Sequence, residues 1–214
     1  MDGNGRWASK KKLPKKEGHR AGINACIKII KNLYKLDVYV NELSFYVFST
    51  ENWKRSLREI KDLFDLIEEY YQEFEKTAQN YNLRIRHYGS REKLNKKILN
   101  IIDDVTKSTK KNNSNCINLV FNYGGRDEII NAIKKIKLKK INKNNLSKNL
   151  YTFESYDPDL IIRTGGEFRL SNFMLWQSAY SELFFTKKLW PDFNIIDLKK
   201  ILINYKKRKR NFGK

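Results

Sequence analysis

With 214 residues, 40% of them apolar and including 12 Phe, 12 Tyr and 4 Trp, the chain has the size and composition of one folded domain over residues 1–214. No stretch approaches the ~20 apolar residues of a membrane-spanning helix, and Met1 runs straight into Asp-Gly-Asn-Gly-Arg without a signal-peptide pattern, so a cytoplasmic protein is expected. The net charge of +20 admits nucleic acid, anionic lipid or polyphosphate as partners, but the basic runs Lys10–Lys16, Lys134–Lys148 and Lys206–Arg210 read as solvated surface.

In chain order, Gly18–Leu36 reads as a helix, with Ile23, Cys26, Ile27 and Ile30 on one face. Leu43–Ser49 has strand character. Leu57–Tyr81 reads as a long amphipathic helix, its apolar residues recurring every three or four positions. A strand at Leu83–Tyr88, a helix at Lys93–Thr106 and a strand at Ile117–Asn122 follow, then a basic helix after Asp127. Lys139–Lys148 reads as a surface loop, Leu160–Arg163 as a strand and Ile196–Lys207 as the last helix. There is no internal repeat. Apolar strands alternating with helices predict a single α/β domain with a mostly parallel central sheet flanked by helices. Cys26 and Cys116 lack paired spacing, which fits packed free thiols in a reducing compartment.

In such sheets ligands bind beyond the carboxyl ends of the strands. The polar segments Ser49–Trp53, Asn122–Arg126 and Arg163–Gly166 each follow a strand, as does Gly89, so one rim should collect them. Asp2-Gly-Asn-Gly-Arg-Trp joins a carboxylate to two glycines and an arginine. Glycines let backbone N–H groups approach phosphate closely and arginine adds charge-assisted donors; a carboxylate beside phosphate calls for a cation such as Mg²⁺. Gly18-His19-Arg20 adds a donor. Ser49-Thr50-Glu51-Asn52-Trp53-Lys54-Arg55 places a hydroxyl, a carboxylate, an amide, an indole and two cations past a strand. Arg163, Arg169 and Ser171 beside a glycine turn form a candidate second diphosphate pocket. Glu182 is a lone acid among apolar neighbours, which needs a partner, a metal ion being one option.

The ordered segments MDGNGRWA, GHRAG, FSTENWKR, NYGGR, IRTGGE, RLSNF, LWQ, AYSELFF and LWPDF resemble the cis-prenyltransferases, the undecaprenyl diphosphate synthase family, from Met1 to nearly Lys214. The resemblance implies condensation of isopentenyl diphosphate with an allylic diphosphate such as farnesyl diphosphate, releasing pyrophosphate and giving a cis-polyprenyl diphosphate. It also implies Mg²⁺, a homodimer, and a hydrophobic tunnel for the growing tail. On that pattern Asp2 engages Mg²⁺ and the allylic diphosphate, which Gly3, Asn4, Gly5 and Arg6 cradle with Trp7 beside them. His19 contacts diphosphate, and Lys15 stands where an arginine is common. Asn52 matches the residue proposed to accept the proton lost after condensation, with Ser49, Thr50, Glu51, Trp53 and Arg55 around it. Arg163, Arg169, Leu170 and Ser171 match the isopentenyl diphosphate pocket, and Glu182 a second metal contact, reaching across the dimer.

Several positions depart from the pattern. The family's apolar strand ahead of Met-Asp-Gly-Asn-Gly is missing from the chain as given, so a place in the sheet should stand open. A C-terminal Arg-x-Gly reads Asn211-Phe212-Gly213, with Arg210 one residue early, and Val47 holds a tunnel-side position that is often alanine, which would restrict tail length. A catalytically weak partner subunit is the alternative reading. A nucleic-acid-binding protein is a more distant one, because no recognised DNA- or RNA-binding motif is present and no nucleic acid is expected. A lipid-tailed product would favour peripheral contact with the inner face of an anionic membrane.

Overall fold

The computed structural model describes residues 1–137 and 140–208. Its elements in chain order are α1 (Asn4–Lys10), α2 (Lys15–Lys31), β1 (Glu42–Ser49), α3 (Leu57–Asn80), β2 (Arg84–Tyr88), α4 (Lys96–Ser108), β3 (Cys116–Tyr123), α5 (Gly125–Lys135), α6 (Lys143–Ser147), β4 (Leu160–Arg163), β5 (Glu182–Phe185) and α7 (Ile195–Lys206). All strand pairs are parallel, in a three-stranded sheet ordered β1-β3-β2 and a two-stranded sheet β4-β5.

β3 is central because both of its faces are covered. Ile117 packs with Ala25, Ile29 and Ile30 of α2 and with Phe45, Ile85 and Trp190. Phe121 packs with Phe48 and with Ile60, Leu63 and Phe64 of α3, while Val120 joins Tyr88, Tyr123 and Met174. Phe48, Leu66, Ile98, Ile117 and Val120 are almost fully buried, each such side chain contributing about 2 kcal/mol. α3 follows from its sequence: Ser56 caps it by accepting from the Glu59 N–H, and Ile60, Leu63, Phe64 and Leu66 supply one buried stripe.

Some elements differ from the sequence reading. The helix expected over Gly18–Leu36 starts earlier, at Lys15 after Pro14, and gives way to a 3₁₀ turn at Leu33–Lys35. The opening run, read as a glycine turn, is helical from Asn4. That short helix packs on α2 because a Cβ at Gly18 would lie 2.2 Å from the Asn4 carbonyl oxygen and one at Gly22 2.6 Å from Asn4 Oδ1. Two glycines one turn apart thus make the groove that seats Asn4. The basic helix starts at Gly125 rather than after Asp127, the expected loop at Lys139–Lys148 contains the one-turn α6, and Glu182–Phe185 is a strand that was not expected. Cys26 and Cys116 are buried free thiols.

β1 pairs through one edge with β3, and β4 through one edge with β5; the other edge of each has no ladder partner among the described residues. Between them runs a slot, part of a cavity of about 1310 Å³ bordered by every residue of β1 and by Leu160–Thr164. Val47 lies in this wall, at a bulge in the β1–β3 ladder. The Met1 α-amino group is buried, and desolvation pulls its pKa down to about 6.

At the end of β2, His87 donates from Nε2 to the Phe121 carbonyl at 3.0 Å. Burial, only partly offset by that bond, pushes its pKa down to about 4. Because the folded value lies below the unfolded one, the unfolded chain binds the extra proton first, and stability falls as pH drops from about 6.5 towards 4. Urea unfolding should show a loss of about 2 kcal/mol across that window, which His87→Gln, retaining a donor, removes.

Candidate active site

Asp2 lies where α1 meets the end of β4. Thr164, 2% exposed, grips its backbone twice, accepting from the Asp2 N–H and donating to the Asp2 carbonyl, both at 2.9 Å. The Trp190 N–H donates to the same carbonyl at 3.0 Å. The carboxylate meets Arg6 Nη2 at 3.2 Å and Arg163 Nη2 at 3.0 Å. Burial alone would raise the Asp2 pKa, but the Arg163 hydrogen bond and the charges of Arg6 and Arg163 outweigh it and hold it below the usual carboxylate range. Arg163 also donates from Nη1 to Ser171 Oγ at 2.7 Å and to the Arg169 carbonyl. One guanidinium therefore ties the acid of the opening run to the serine and arginine of the Arg169–Ser171 loop.

The turn after β1 is a 3₁₀ helix, Thr50–Lys54, closed by a capping box in which Asn52 Oδ1 accepts from the Ser49 N–H at 3.1 Å. Trp53 donates to Asn122 Oδ1 at 2.8 Å, and Asn122 in turn donates to the Ser90 and Glu92 carbonyls, so β3 holds this turn to the segment after β2. Thr50 donates to Asp127. Glu59 gathers three groups, Arg55 at 3.0 Å, Lys15 at 3.4 Å and His19 at 3.8 Å. Burial and the nearby Arg55 lower the His19 pKa against the pull of Glu59, which keeps the imidazole neutral at neutral pH.

Asp2, Asn4, His19, Ser49, Glu51, Asn52 and Arg55 border the same cavity as Arg163, Arg169, Leu170 and Ser171. Other expected residues act at its edge. Gly3, at φ +112°, and Gly5 shape the start of α1, and Arg6 fastens α1 to the Gly165 carbonyl at 2.6 Å. Trp7 points its N–H to Asp192 at 2.7 Å, with Lys11 over its ring, so it anchors α1 rather than bordering the cavity. Glu182 is paired with Arg208 at 2.5 Å and lies opposite Leu160, at the amino end of the β4–β5 ladder. Arg163 is at the carboxyl end, so Asp2 and Glu182 do not converge within one chain. Arg210, Asn211, Phe212 and Gly213 fall outside the described residues.

Three groups that position this site have no individual role assigned from sequence, although two of them, Thr164 and Asn122, lie in the expected rim segments. Thr164 sits inside the quoted IRTGGE but reads there as turn filler. Glu59 carries a usable signal, since Ser56-x-x-Glu59 is a capping pattern that places it one turn from Arg55. Asn122 opens the rim segment Asn122–Arg126, but its clamping role has no local signal, because its partners Trp53, Ser90 and Glu92 lie on two other segments. Among the described residues no three His, Cys, Asp or Glu side chains cluster as a metal cage.

A family model described as putative undecaprenyl diphosphate synthase matches residues 1–213. The chain is 44% identical over 216 residues to an isoprenyl transferase of Treponema denticola, covering 100% of this chain and 94% of that protein. Among solved structures it is similar to a lavandulyl diphosphate synthase from Lavandula x intermedia, in complex with dimethylallyl diphosphate, with a TM-score of 0.93, 28% identity and coverage of 100% of this chain and 95% of that one. It is also similar to a probable undecaprenyl diphosphate synthase from Campylobacter jejuni, with a TM-score of 0.81, 36% identity and coverage of 91% and 93%. A cavity that brings an ionised aspartate and several arginines to one sheet rim, on this fold and with these relatives, places the chain in the cis-prenyltransferase family of undecaprenyl diphosphate synthases.

Proposed function

We propose that this prenyltransferase condenses isopentenyl diphosphate with an allylic diphosphate such as farnesyl diphosphate, making a cis-polyprenyl diphosphate of the undecaprenyl lipid-carrier type. The supporting observation is the Asp2–Arg163–Ser171 junction, which joins the two expected diphosphate sites on one cavity wall. Arg163, Arg169 and Ser171 hold isopentenyl diphosphate. Gly3–Arg6 and His19 hold the allylic diphosphate, with Asp2 at its head. Fixed donors thereby align both reactants before bond formation. Asn52 stands by the carbon that loses its proton, and the departing pyrophosphate, a stronger base than an amide, takes that proton.

The donor set suits Mg²⁺ arriving with the diphosphate, since that ion is usually held by one or two carboxylates plus substrate phosphates. Asp2 supplies a carboxylate that borders the cavity and is kept ionised beside Arg163 and Arg6. When bound, the ion would neutralise the leaving pyrophosphate. The growing tail occupies the apolar part of the cavity, where Ile29, Val47 and Leu63 line it.

The same reading carries a homodimer, with β5 at a sheet edge beside exposed Phe168, Tyr180 and Leu183, and Glu182 serving the partner's site. It also carries peripheral contact with an anionic membrane through the product tail. No helix among the described residues is long and apolar enough to cross a membrane. The slot between β1 and β4 takes one more parallel strand running into Met1. In its support, Asp2 is fixed to Thr164, just past the carboxyl end of β4, and both slot edges lack ladder partners among the described residues.

Incubation with farnesyl diphosphate, labelled isopentenyl diphosphate and Mg²⁺ should move label into a butanol-extractable product and release pyrophosphate. No incorporation at any Mg²⁺ concentration contradicts the activity. Retained diphosphate binding without turnover would instead select a catalytically weak partner subunit.

A further inference from the structure

In the segment between β4 and β5, Arg169 and Ser171 lie ahead of a short 3₁₀ helix, Gln177–Tyr180, outside any helix or ladder. Ser171, Asn172 and Met174 take positive φ of 51°, 63° and 42°, a region that few non-glycine residues adopt unless neighbours stabilise it. Beside the Arg163 bonds to Arg169 and Ser171 and the packing of Phe173 and Met174, Asn172 anchors the segment at three points. Its carbonyl accepts from the Gly125 N–H at 2.8 Å and its Oδ1 from the Arg126 N–H at 2.9 Å. Its Nδ2 donates to Glu51 Oε1 at 2.6 Å.

Each bond answers a local need. α5 opens with Gly124 at its cap position, which has no side chain to offer, so the first N–H groups of the helix lack a local acceptor. Asn172, from a distant segment, supplies the oxygens that a capping asparagine would supply. The two glycines make the seat. A Cβ at Gly124 would lie 2.4 Å from Thr50 Oγ1 and 2.9 Å from Asn172 Nδ2, and one at Gly125 would lie 2.9 Å from Leu175 Cγ and 3.0 Å from the Asn172 carbonyl oxygen. Burial works against ionisation of Glu51, yet the Asn172 donation, with smaller contributions from its own backbone, Ser49 and Lys54, brings its pKa below the ordinary value. Three segments therefore meet at one side chain: the turn that carries Asn52, the start of α5, and the loop that carries Arg169 and Ser171.

We infer that Asn172 is a positioning residue that fixes the isopentenyl diphosphate pocket relative to the Asn52 turn, through Glu51 and the first turn of α5. The inference rests on the proposed condensation for its kinetic consequence, while the clip itself is a property of the fold.

A donor–acceptor swap tests it. Asn172→Asp keeps an oxygen for the Arg126 N–H but sets a carboxylate against Glu51. Adding Glu51→Gln restores one donor and one acceptor with the roles reversed. Asn172→Asp should raise KM for isopentenyl diphosphate about tenfold, the loss of one charge-assisted hydrogen bond, with a far smaller change in KM for farnesyl diphosphate. The double variant should recover most of that loss. Asn172→Gly, which tolerates the left-handed backbone but lacks both side-chain bonds, should show the same selective rise. An unchanged isopentenyl KM in Asn172→Asp, an equal rise in both KM values, or no recovery in the double variant overturns the inference. A wild-type chain without turnover would sink the proposed activity instead. The clip is then read from urea midpoints of wild type, both single variants and the double variant, where strict additivity of the two substitutions overturns it.

Discussion

Asp2→Ala should lower turnover by about a thousandfold, the scale on which removing one preorganised charge-stabilising group acts, while the protein still unfolds in one cooperative transition. The two parts of this expectation have separate causes. The fold keeps Asp2 in place through its backbone, by way of Thr164 and the Trp190 N–H, and none of those bonds involves the carboxylate. The side chain is 37% exposed, so losing its ion pairs with Arg6 and Arg163 costs about 1 kcal/mol or less. The chemistry depends on the carboxylate itself, a hard anionic oxygen that borders the cavity between Arg6 and Arg163. Asp2→Asn retains shape and one acceptor but not the charge, and should lose nearly as much. Steady-state rates with circular dichroism on the same samples check both parts. A variant that folds and turns over like wild type removes Asp2 from its assigned role.

Filling the slot between β1 and β4 should stabilise the protein by about 3 kcal/mol and abolish a pH dependence. A mostly apolar segment of about six residues joined to Met1 would pair with both open edges and bury side chains on both faces, partly offset by the entropy of ordering it. The pH readout is independent of those sums. The Met1 α-amino pKa drops from 8.0 to about 6 on folding, mainly by desolvation, with Asp2 pulling the other way. Between these values the unfolded chain carries the additional proton, so stability rises with pH from about 6 to 8, by up to about 2 kcal/mol. Converting that amine to a peptide bond removes the dependence. Urea unfolding at several pH values compares the 214-residue chain with the extended chain and with an extended chain carrying prolines in the added segment. Equal stability and equal pH dependence in all three would contradict the slot's role.

Much of this fold is legible in the sequence where periodicity is long. α3 announces itself through Ile60, Leu63, Phe64 and Leu66, and β3 through the run Ile117–Phe121. α1 was not legible, because a run of glycine and polar residues has no apolar stripe, and its helix exists by packing Asn4 into the Gly18 and Gly22 groove on α2. β5 is only four residues long and its aromatic run Glu182–Phe185 has no alternation to read. The candidate site followed the same division. Residues aimed at substrate stand in recognisable local runs such as Asp2–Arg6 and Ser49–Arg55. Residues that hold those runs together work across long separations, as Asn172 does with Glu51 at 121 positions and Thr164 with Asp2 at 162. Spacing along a chain carries no record of such pairs.

The central claim is that one cavity, with Asp2 at its head, joins isopentenyl diphosphate to an allylic diphosphate. Mass analysis of the product made from farnesyl diphosphate, isopentenyl diphosphate and Mg²⁺ by wild type and by Asp2→Ala tests it most directly. The account predicts a ladder of polyprenyl diphosphates spaced by one isoprene unit from wild type and unextended farnesyl diphosphate from the variant. Unextended farnesyl diphosphate from both, or the same ladder from both, would contradict it.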